Sequence, residues 1–317
     1  MLGVERAEMG MEKKATGLHL SWKLLGSSTS MTPLNFLKGI VTDIDGVWFH
    51  GEKLQDGAFK LLDAAQRRRL KMTFASNGAG SRSDVVKKFG REGIQIAEAD
   101  VMTAGYAVAK YLCKEQLQSR GEFLALFLGP DELRMQCHAL GIEAFLYQND
   151  VWDPKKKNWI AERTPTHIVT ARHDYNINTI EAAVAALVRG AQWVASGMDH
   201  AVTTENGDLR AGTGTLVAAI QRLLATTDSL SNAVPNVMGK PHPRIVQACL
   251  DRMKIPQEQV AMLGDSLETD MPVARQLKMT RLLVLSGVTS ADLARQNLTM
   301  FDHIFSDIGS FADVINS

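Results

Sequence analysis

Short apolar runs alternate with amphipathic segments along the chain from residue 39 onwards. The runs 39–43 and 71–76 predict buried strands, whereas 57–70 and 82–93 carry apolar residues at helical spacing. Ser81 is suited to cap the second of these helices at its N-terminus. An alternation of strand and helix is typical of a parallel sheet that is covered by helices on both faces. The pattern therefore predicts an α/β fold, whose functional residues lie at the carboxyl ends of the strands.

A second series of strand-like runs and amphipathic segments extends over residues 121–235, and a polar, turn-rich stretch closes it. Two further strand-like runs follow at 260–264 and 281–287. With 317 residues, the chain is long enough for about two domains. We therefore predict a core that is made of 31–120 and 236–317 and is interrupted by a second α/β domain.

The first 30 residues differ from the rest of the chain. They contain Glu5, Glu8 and Glu12, which disfavours a mitochondrial transit peptide because such peptides are poor in acidic residues. They also lack the continuous apolar run of a secretory signal. We expect residues 1–30 to form a poorly ordered tail, with Met31 as a second candidate for the natural start.

The composition argues against several classes of protein. The 35 basic and 35 acidic residues give a formal net charge of zero, whereas general nucleic-acid binders are usually basic. No apolar run approaches the roughly 18 residues that a membrane span needs. Cys113, Cys137 and Cys249 are far apart and form no CxxC motif, which favours free thiols in a reducing compartment. We therefore expect a cytoplasmic protein without nucleic-acid or membrane partners.

Four short polar stretches stand at predicted strand-to-helix junctions. Each of them alone is common in a solvated turn, a loop or a helix cap. Together they are informative, because the carboxyl ends of parallel strands meet at one edge of a sheet. The stretches contain, in chain order, Asp43 and Asp45, Ser76 and Asn77, Lys240, and Asp265 and Asp270.

The aspartates in these stretches are suited to a divalent cation. Asp43 and Asp45 follow a buried strand one residue apart, and two carboxylates that close repel each other. Together with Asp265 they offer the oxygen ligands that Mg²⁺ prefers, and the cation would offset their repulsion. One aspartate of the pair can then act as a nucleophile and the other as a general acid and base, although the spacing does not say which.

The other polar residues are suited to a phosphate group. Ser76 and Asn77 offer a hydroxyl, an amide and backbone N–H groups near a helix start, where the helix dipole favours anions. Lys240 adds a positive charge that stabilises a phosphoryl group and the charge that develops during its transfer. The residues therefore predict a phosphate-handling enzyme.

The stretches "DIDGVW", "SN", "GKP" and "GDSLETD" occur in the order of the four motifs of the haloacid dehalogenase-like (HAD) phosphatases, which this chain resembles. The long insert between the second and third motifs is similar to the C2-type cap of the class IIA branch. That branch contains 4-nitrophenylphosphatases and phosphatases of phosphoglycolate, glycerol phosphate, pyridoxal phosphate, nucleotides and sugars. The resemblance implies a Rossmann-like parallel-sheet core with an α/β cap, and an Mg²⁺-dependent phosphomonoesterase.

The resemblance also implies a role for each aspartate. Asp43 is expected to be the nucleophile and an Mg²⁺ ligand, and it forms an aspartyl-phosphate. Asp45 is expected to protonate the leaving oxygen and later to activate water, with its backbone carbonyl on the metal. Asp265 is expected to bind the metal. Asp270 is expected to support it through water or by orienting Lys240.

The phosphate and substrate contacts depart in part from those of the relatives. Ser76, Asn77 and Lys240 are expected to hold the phosphate. Gly78-Ala79-Gly80 stands where many relatives have a second Asn or a Ser/Thr-rich stretch, but Gly78 still offers its N–H. In the cap, Asp199 keeps the position of the family, and His200 beside it is a further candidate for substrate contact. Other departures are Ser196-Gly197, which replaces a Thr-Asn pair, and Trp48, which either narrows the entrance or packs under the cap.

Two alternative functions are compatible with the same residues. A phosphotransferase or phosphomutase would use the same aspartyl-phosphate, but such relatives usually carry a smaller helical cap directly after the first motif. A non-catalytic protein would bind phosphate or a partner with the cap as its interaction surface. The sequence does not name the natural substrate, and a homodimer through the cap is expected by analogy with several relatives.

Overall fold

The fold consists of two parallel sheets with helices packed on them, and three short hairpins. The computed structural model describes residues 34–147, 152–153, 155, 158–159, 164–172, 175–203, 208–227 and 230–316. The prediction of a poorly ordered tail at residues 1–30 lies outside the described residues.

The larger sheet has six parallel strands. They are β1 (Gly39–Thr42), β4 (Lys71–Ser76), β5 (Val101–Thr103), β15 (Val260–Gly264), β16 (Thr280–Val284) and β17 (His303–Phe305). Their order across the sheet is β17-β16-β15-β1-β4-β5, so that β1 is central. The strands are largely buried because helices cover both faces, as expected of a parallel sheet.

The helices of this sheet divide between its two faces. Successive side chains of a strand point to opposite faces, so Ile40 packs in one apolar cluster and Val41 in the other. The helices in this part of the chain are α1 (Ala58–Arg67), α2 (Arg82–Arg91), α7 (Arg244–Met253), α8 (Asp270–Gln276), α9 (Ala291–Gln296) and α10 (Ile308–Asn316). Helices α1, α2 and α10 contribute to the cluster of Ile40, whereas α7 and α8 contribute to that of Val41.

The smaller sheet has five parallel strands. They are β6 (Ala125–Leu128), β7 (Ala144–Leu146), β10 (His167–Thr170), β11 (Gln192–Ala195) and β14 (Asn236–Val237), in the order β14-β11-β10-β6-β7. It is packed by α3 (Ala104–Gln118), α4 (Asp131–His138), α5 (Ile177–Val188) and α6 (Thr213–Leu224). The hairpins are β2 (Phe49–His50) with β3 (Lys53–Leu54), β8 (Trp152–Asp153) with β9 (Asn158–Trp159), and β12 (Ala201–Thr203) with β13 (Leu209–Ala211). Single 3₁₀ turns occupy Leu34–Phe36, Glu98–Asp100 and Gln257–Gln259.

The predicted α/β fold class is confirmed, and several elements lie where the pattern predicts them. The strands at 71–76 and 260–264 have the predicted bounds. Ser81 caps α2 in a capping box, in which its side chain accepts from the backbone N–H of Asp84 and the Asp84 carboxylate accepts from the Ser81 N–H. The helix predicted over 57–70 ends earlier, at Arg67, because Arg69 adopts a positive φ of 54°.

The domain limits stay a prediction. Strand β14 pairs with β11 of the smaller sheet although it follows residue 235, and α3 packs with α4 although it precedes residue 121.

In the part of the chain that the structure describes, no helix is both long enough and apolar enough to cross a membrane. The prediction of free thiols is confirmed for Cys113, Cys137 and Cys249.

Candidate active site

The first and the last of the polar junctions border a cavity of about 240 Å³, which we name the junction cavity. It lies at the carboxyl ends of β1 and β15 of the larger sheet. Residues from the segment between β11 of the smaller sheet and α6 also contribute to its wall. Its lining includes Asp43, Asp45, His50, Asp199, His200, Leu209, Asp265, Glu268, Val288 and Leu293. The cavity therefore brings together polar residues from two of the four predicted stretches and from the predicted cap.

Asp43 is fixed directly after the central strand. Its backbone N–H donates to the carbonyl of Leu263 at 2.8 Å, and its carboxylate oxygen Oδ1 accepts from the N–H of Ile44 at 2.8 Å. The ammonium of Lys240 lies 2.7 Å from the same oxygen. Both side-chain contacts engage Oδ1, and the carboxyl group of Asp43 lines the junction cavity.

Lys240 and Asp270 form a buried ion pair behind Asp43. The side chain of Lys240 is 1% exposed and that of Asp270 is 0% exposed, with 2.7 Å between Nζ and Oδ1. The second oxygen of Asp270 accepts from the backbone N–H groups of Asp265 and Ser266, each at 3.1 Å. One lysine thus pairs with two carboxylates, and buried charges of this kind persist only where the geometry is good and the remaining oxygens are hydrogen-bonded.

Asp43, Asp265 and Asp270 form a carboxylate cluster. Each offers an oxygen atom, and the three atoms lie within 4.8 Å of one another. Asp265 also accepts from the N–H of Val288 at 2.7 Å. The close approach of backbone to this carboxylate requires glycine, because a methyl group at Gly287 would overlap Oδ2 of Asp265.

The electrostatics of the cluster favour a cation. Burial, and then the charge of Asp270, raise the pKa of Asp265 to about 7. Burial raises the pKa of Asp43 well above its usual value although Lys240 opposes the rise. Burial would lower the pKa of Lys240, but Asp270 and Asp43 outweigh it and raise that pKa. Hard carboxylate oxygens with an excess of negative charge fit Mg²⁺, which binds one or two carboxylates together with waters and substrate phosphate.

The carboxylate of Asp45 is not brought into this cluster. Its side chain is 61% exposed, and its Oδ1 lies 3.3 Å from the ammonium of Lys88 on α2. Asp45 still lines the junction cavity beside Asp43. The structure thus unites three of the four predicted metal ligands by their side chains, and the predicted role of Asp45 stays a prediction.

Asn77 connects the predicted phosphate residues to one another. Its carbonyl oxygen accepts from the Lys240 N–H at 2.7 Å, and its amide nitrogen donates to the Lys240 carbonyl at 3.0 Å. The Gly78 N–H, predicted to bind phosphate, donates at 2.9 Å to the hydroxyl of the buried Ser76. The structure places Ser76, Asn77, Gly78 and Lys240 together, and their binding of phosphate stays a prediction.

Asp199 reaches the core through the same asparagine. The amide of Asn77 donates to Oδ2 of Asp199 at 2.6 Å, which joins a loop after β11 to the loop after β4. Burial raises the pKa of the Asp199 carboxyl, whereas Lys240 and the bond from Asn77 oppose that rise. No signal in the sequence pairs residues that are so far apart along the chain. His200 lines the junction cavity next to Asp199.

Trp48 has neither of its predicted roles. It is fully buried in the core, where its ring contacts Phe74 and Phe89 and its indole N–H donates to Thr42 Oγ at 2.9 Å. The side chain therefore packs beneath the larger sheet and does not reach the entrance or the cap. Trp48 is accordingly absent from the lining of the cavity that Asp43 lines.

Comparison with known proteins identifies the family. A family model described as haloacid dehalogenase-like hydrolase matches residues 40–143, and one described as HAD-hydrolase-like matches residues 237–311. Together the two models match more than half of the chain. The two matches contain all four polar stretches of the predicted site.

Individual relatives agree with this result. The ribonucleotide monophosphatase NagD of Escherichia coli (strain K12) is 24% identical over 258 residues, which cover 81% of this chain and 90% of that protein. The p-nitrophenyl phosphatase from Archaeoglobus fulgidus has a similar fold, with a TM-score of 0.69 and 21% identity over 87% of this chain and 98% of that chain. The glycerol phosphate phosphatase Rv1692 from Mycobacterium tuberculosis, in complex with magnesium, has a TM-score of 0.67 and 24% identity over 89% of this chain and 78% of that chain. The chain therefore belongs to the haloacid dehalogenase-like hydrolases, in the class IIA branch of capped phosphoric monoester hydrolases.

Proposed function

We propose that the protein is an Mg²⁺-dependent phosphomonoesterase that uses Asp43 as its nucleophile and acts on a small phosphate ester. The observation that carries this proposal is the buried arrangement of Asp43, Lys240 and Asp270, with Asp265 beside it, at the carboxyl ends of the central strands. A structural ion pair of Lys240 with Asp270 would not require a second and a third carboxylate beside it.

The carboxylate cluster would hold the cation. When bound, Mg²⁺ supplies positive charge that offsets the repulsion between Asp43, Asp265 and Asp270 and favours the approach of a phosphate dianion. Asp270 is the deepest of the three, because two backbone N–H groups and Lys240 already engage its oxygens. Asp43 and Asp265, which line the junction cavity, are the groups best placed to contact ligand.

The reaction proceeds in two displacements at phosphorus. In the first, an oxygen of Asp43 attacks the phosphorus and the ester oxygen leaves with a proton from Asp45, which gives an aspartyl-phosphate and an alcohol. In the second, Asp45 takes a proton from water, whose oxygen attacks the phosphorus. The bond to Asp43 then breaks, and inorganic phosphate is released. Lys240 contributes a fixed positive charge beside the attacking carboxylate throughout.

The junction cavity supports a small organic group on the ester. Its volume of about 240 Å³ is modest, and Leu209, Val288 and Leu293 add apolar residues to its lining. The candidates are 4-nitrophenyl phosphate as an artificial substrate, and phosphoglycolate, glycerol phosphate, pyridoxal phosphate or a sugar phosphate as natural ones. The loop that carries Asp199 and His200 would cover the ester and limit the entry of water during transfer.

The alternative functions have less support. A phosphomutase of the same superfamily usually carries its cap directly after the first motif, whereas here only the hairpin β2–β3 separates Asp45 from α1. A non-catalytic binder would not need the nucleophile position, the lysine and the carboxylate cluster together. The homodimer stays a prediction that light scattering of the purified chain checks.

Phosphate release from a panel of these esters tests the proposal, with Mg²⁺ and with a chelator. We expect release to need Mg²⁺, and Asp43→Asn to lower kcat by roughly 10³-fold or more because it removes the nucleophile. Asp63→Asn is the matched control, since Asp63 is an exposed carboxylate that pairs only loosely with Arg67 at 3.8 Å. Near-normal turnover by Asp43→Asn would refute the mechanism, and release in the presence of chelator would refute the metal requirement.

A further inference from the structure

Lys88 is a covered lysine that lies beside the proposed acid and base. It stands on α2, and its side chain is only 17% exposed. Its ammonium lies 3.3 Å from Oδ1 of Asp45 and 3.9 Å from Oε1 of Glu52. The same ammonium lies 4.4 Å from the ring centre of Phe49, within the range of a cation–π contact. Three groups therefore hold one ammonium against the wall of the junction cavity.

The neighbouring lysine on the same helix shows that this environment is particular to Lys88. The side chain of Lys87 is 73% exposed, and its ammonium lies 3.4 Å from Asp84, one turn back on the same helix. Exposed pairs of this kind contribute little, because water screens them and the long side chains lose entropy. Lys88 instead reaches 43 residues back along the chain to the turn that follows β1.

The turn that carries Asp45 is built around the residues that Lys88 contacts. Asp45 forms a backbone bridge with Phe49, and the N–H of Gly46 donates to the Phe49 carbonyl at 2.7 Å. Gly46 adopts a φ of +82°, which closes the turn and brings the fully buried Phe49 under the ammonium. The backbone position of Asp45 is thus fixed by the turn, whereas its exposed carboxylate contacts the ammonium of Lys88.

We infer that Lys88 is a positioning residue that fixes the carboxyl group of Asp45 at the wall of the junction cavity for proton transfer to the leaving group. The inference rests on the proposed function, in which Asp45 is the general acid. Lys88 does not touch the ester. It limits the rotamers of a side chain that is otherwise free in solvent, and a general acid must lie within hydrogen-bonding distance of the oxygen that it protonates.

The dependence on the leaving group separates this role from a structural one. An alkoxide such as that of glycerol leaves poorly without a proton, whereas 4-nitrophenolate leaves readily without one. Loss of a positioned acid therefore lowers kcat/KM more for glycerol phosphate than for 4-nitrophenyl phosphate. A defect in folding or in metal binding lowers both values in the same proportion, so the ratio of the two values is the informative quantity.

The test uses the full chain with Mg²⁺ and the variant Lys88→Met, which keeps the length of the stem and its packing on Phe49. We expect the ratio of kcat/KM for glycerol phosphate to that for 4-nitrophenyl phosphate to fall about tenfold, as part of the 10²–10⁴-fold that a general acid contributes. Lys87→Met is the matched control, and its ratio should stay within about twofold of the wild-type ratio because the exposed pair is weak. Lys88→Arg, which keeps a cation, should restore most of the ratio.

A ratio within about twofold of wild type in Lys88→Met would overturn the inference, whether or not overall activity falls, because loss of a positioned acid must slow the ester with the poor leaving group more than the ester with the good one. Lys88→Gln provides a second neutral variant, and it must show the same fall in the ratio if the methionine variant unfolds. Failure of the proposed function is distinguishable, since the wild-type protein would then release phosphate from neither ester.

Discussion

Removal of the Lys240 charge tests the view that one buried ammonium holds the site together. The replacement Lys240→Met keeps a side chain of similar length in a position that is 1% exposed. It deletes the partner of Asp43 at 2.7 Å and of Asp270 at 2.7 Å in one step. Both carboxylates stay in place, and Asp270 keeps its two backbone N–H donors.

The expected magnitude follows from the burial of the partners. Asp270 is fully buried, so water cannot replace the lost ammonium. Breaking a buried ion pair by removal of one partner typically costs about 3–5 kcal/mol, because an uncompensated charge is left behind. The pKa of Asp43 is already raised by burial, and loss of Lys240 raises it further, so protonation limits the cost. We therefore expect a loss of about 3–5 kcal/mol in the unfolding free energy at neutral pH without metal.

Urea unfolding in the presence of a chelator, followed by circular dichroism, measures this loss. Lys71→Met is the control, because its exposed ammonium donates only to the Met253 carbonyl at 2.9 Å and its loss should cost less than about 1 kcal/mol. Addition of Asp270→Asn to Lys240→Met removes one of the two stranded charges and should restore part of the stability. A decrease of less than about 1 kcal/mol in the unfolding free energy of Lys240→Met would refute the reasoning, since a buried charge left without its partner is strongly destabilising.

Two further predictions concern the metal site. Because burial and Asp270 raise the pKa of Asp265 from 3.8 to about 7, the native metal-free protein holds a proton that the unfolded chain releases. The raised pKa of Asp265 therefore makes the metal-free protein less stable as pH rises from about 4 to 7. Added Mg²⁺ should stabilise the protein more at pH 8, where Asp265 is ionised, than at pH 5.5. Equal Tm shifts on addition of Mg²⁺ at the two pH values would contradict this prediction. Separately, Gly287→Ala should weaken Mg²⁺ binding measured by calorimetry, because the new methyl group displaces Asp265. Gly90→Ala in α2 is the control, since its methyl group meets open space and should leave the affinity unchanged. Equal affinities in the two variants would contradict the placement of Asp265.

The sequence pattern predicted the elements that carry the site more accurately than those that only support it. Strands 71–76 and 260–264 are continuous apolar runs with clear polar ends, and Ser81 is a local signal for the start of a helix. Strand β5 has only three residues, and α3 directly follows it, so no periodicity separates the two. Strand β17 and the helix α10 that follows it were not predicted either. Strand β17 also has only three residues, which is too short a run to show a period.

The sequence by itself determined the chemistry that is available to this protein. The residue types and their order after successive strands predicted Asp43, Lys240, Asp265 and Asp270 as partners, because the ends of parallel strands share one edge of a sheet. That inference needs only local periodicity and topology. It does not depend on the rotamer of any side chain.

Only the tertiary structure decided which atoms meet. It placed the Asp45 carboxylate against Lys88 and joined Asn77 to Asp199 across 122 residues of chain. It also buried Trp48 in the core. Such contacts depend on the packing of distant segments and on the direction of each side chain, and neither quantity has a signature in the local pattern of apolar and polar residues.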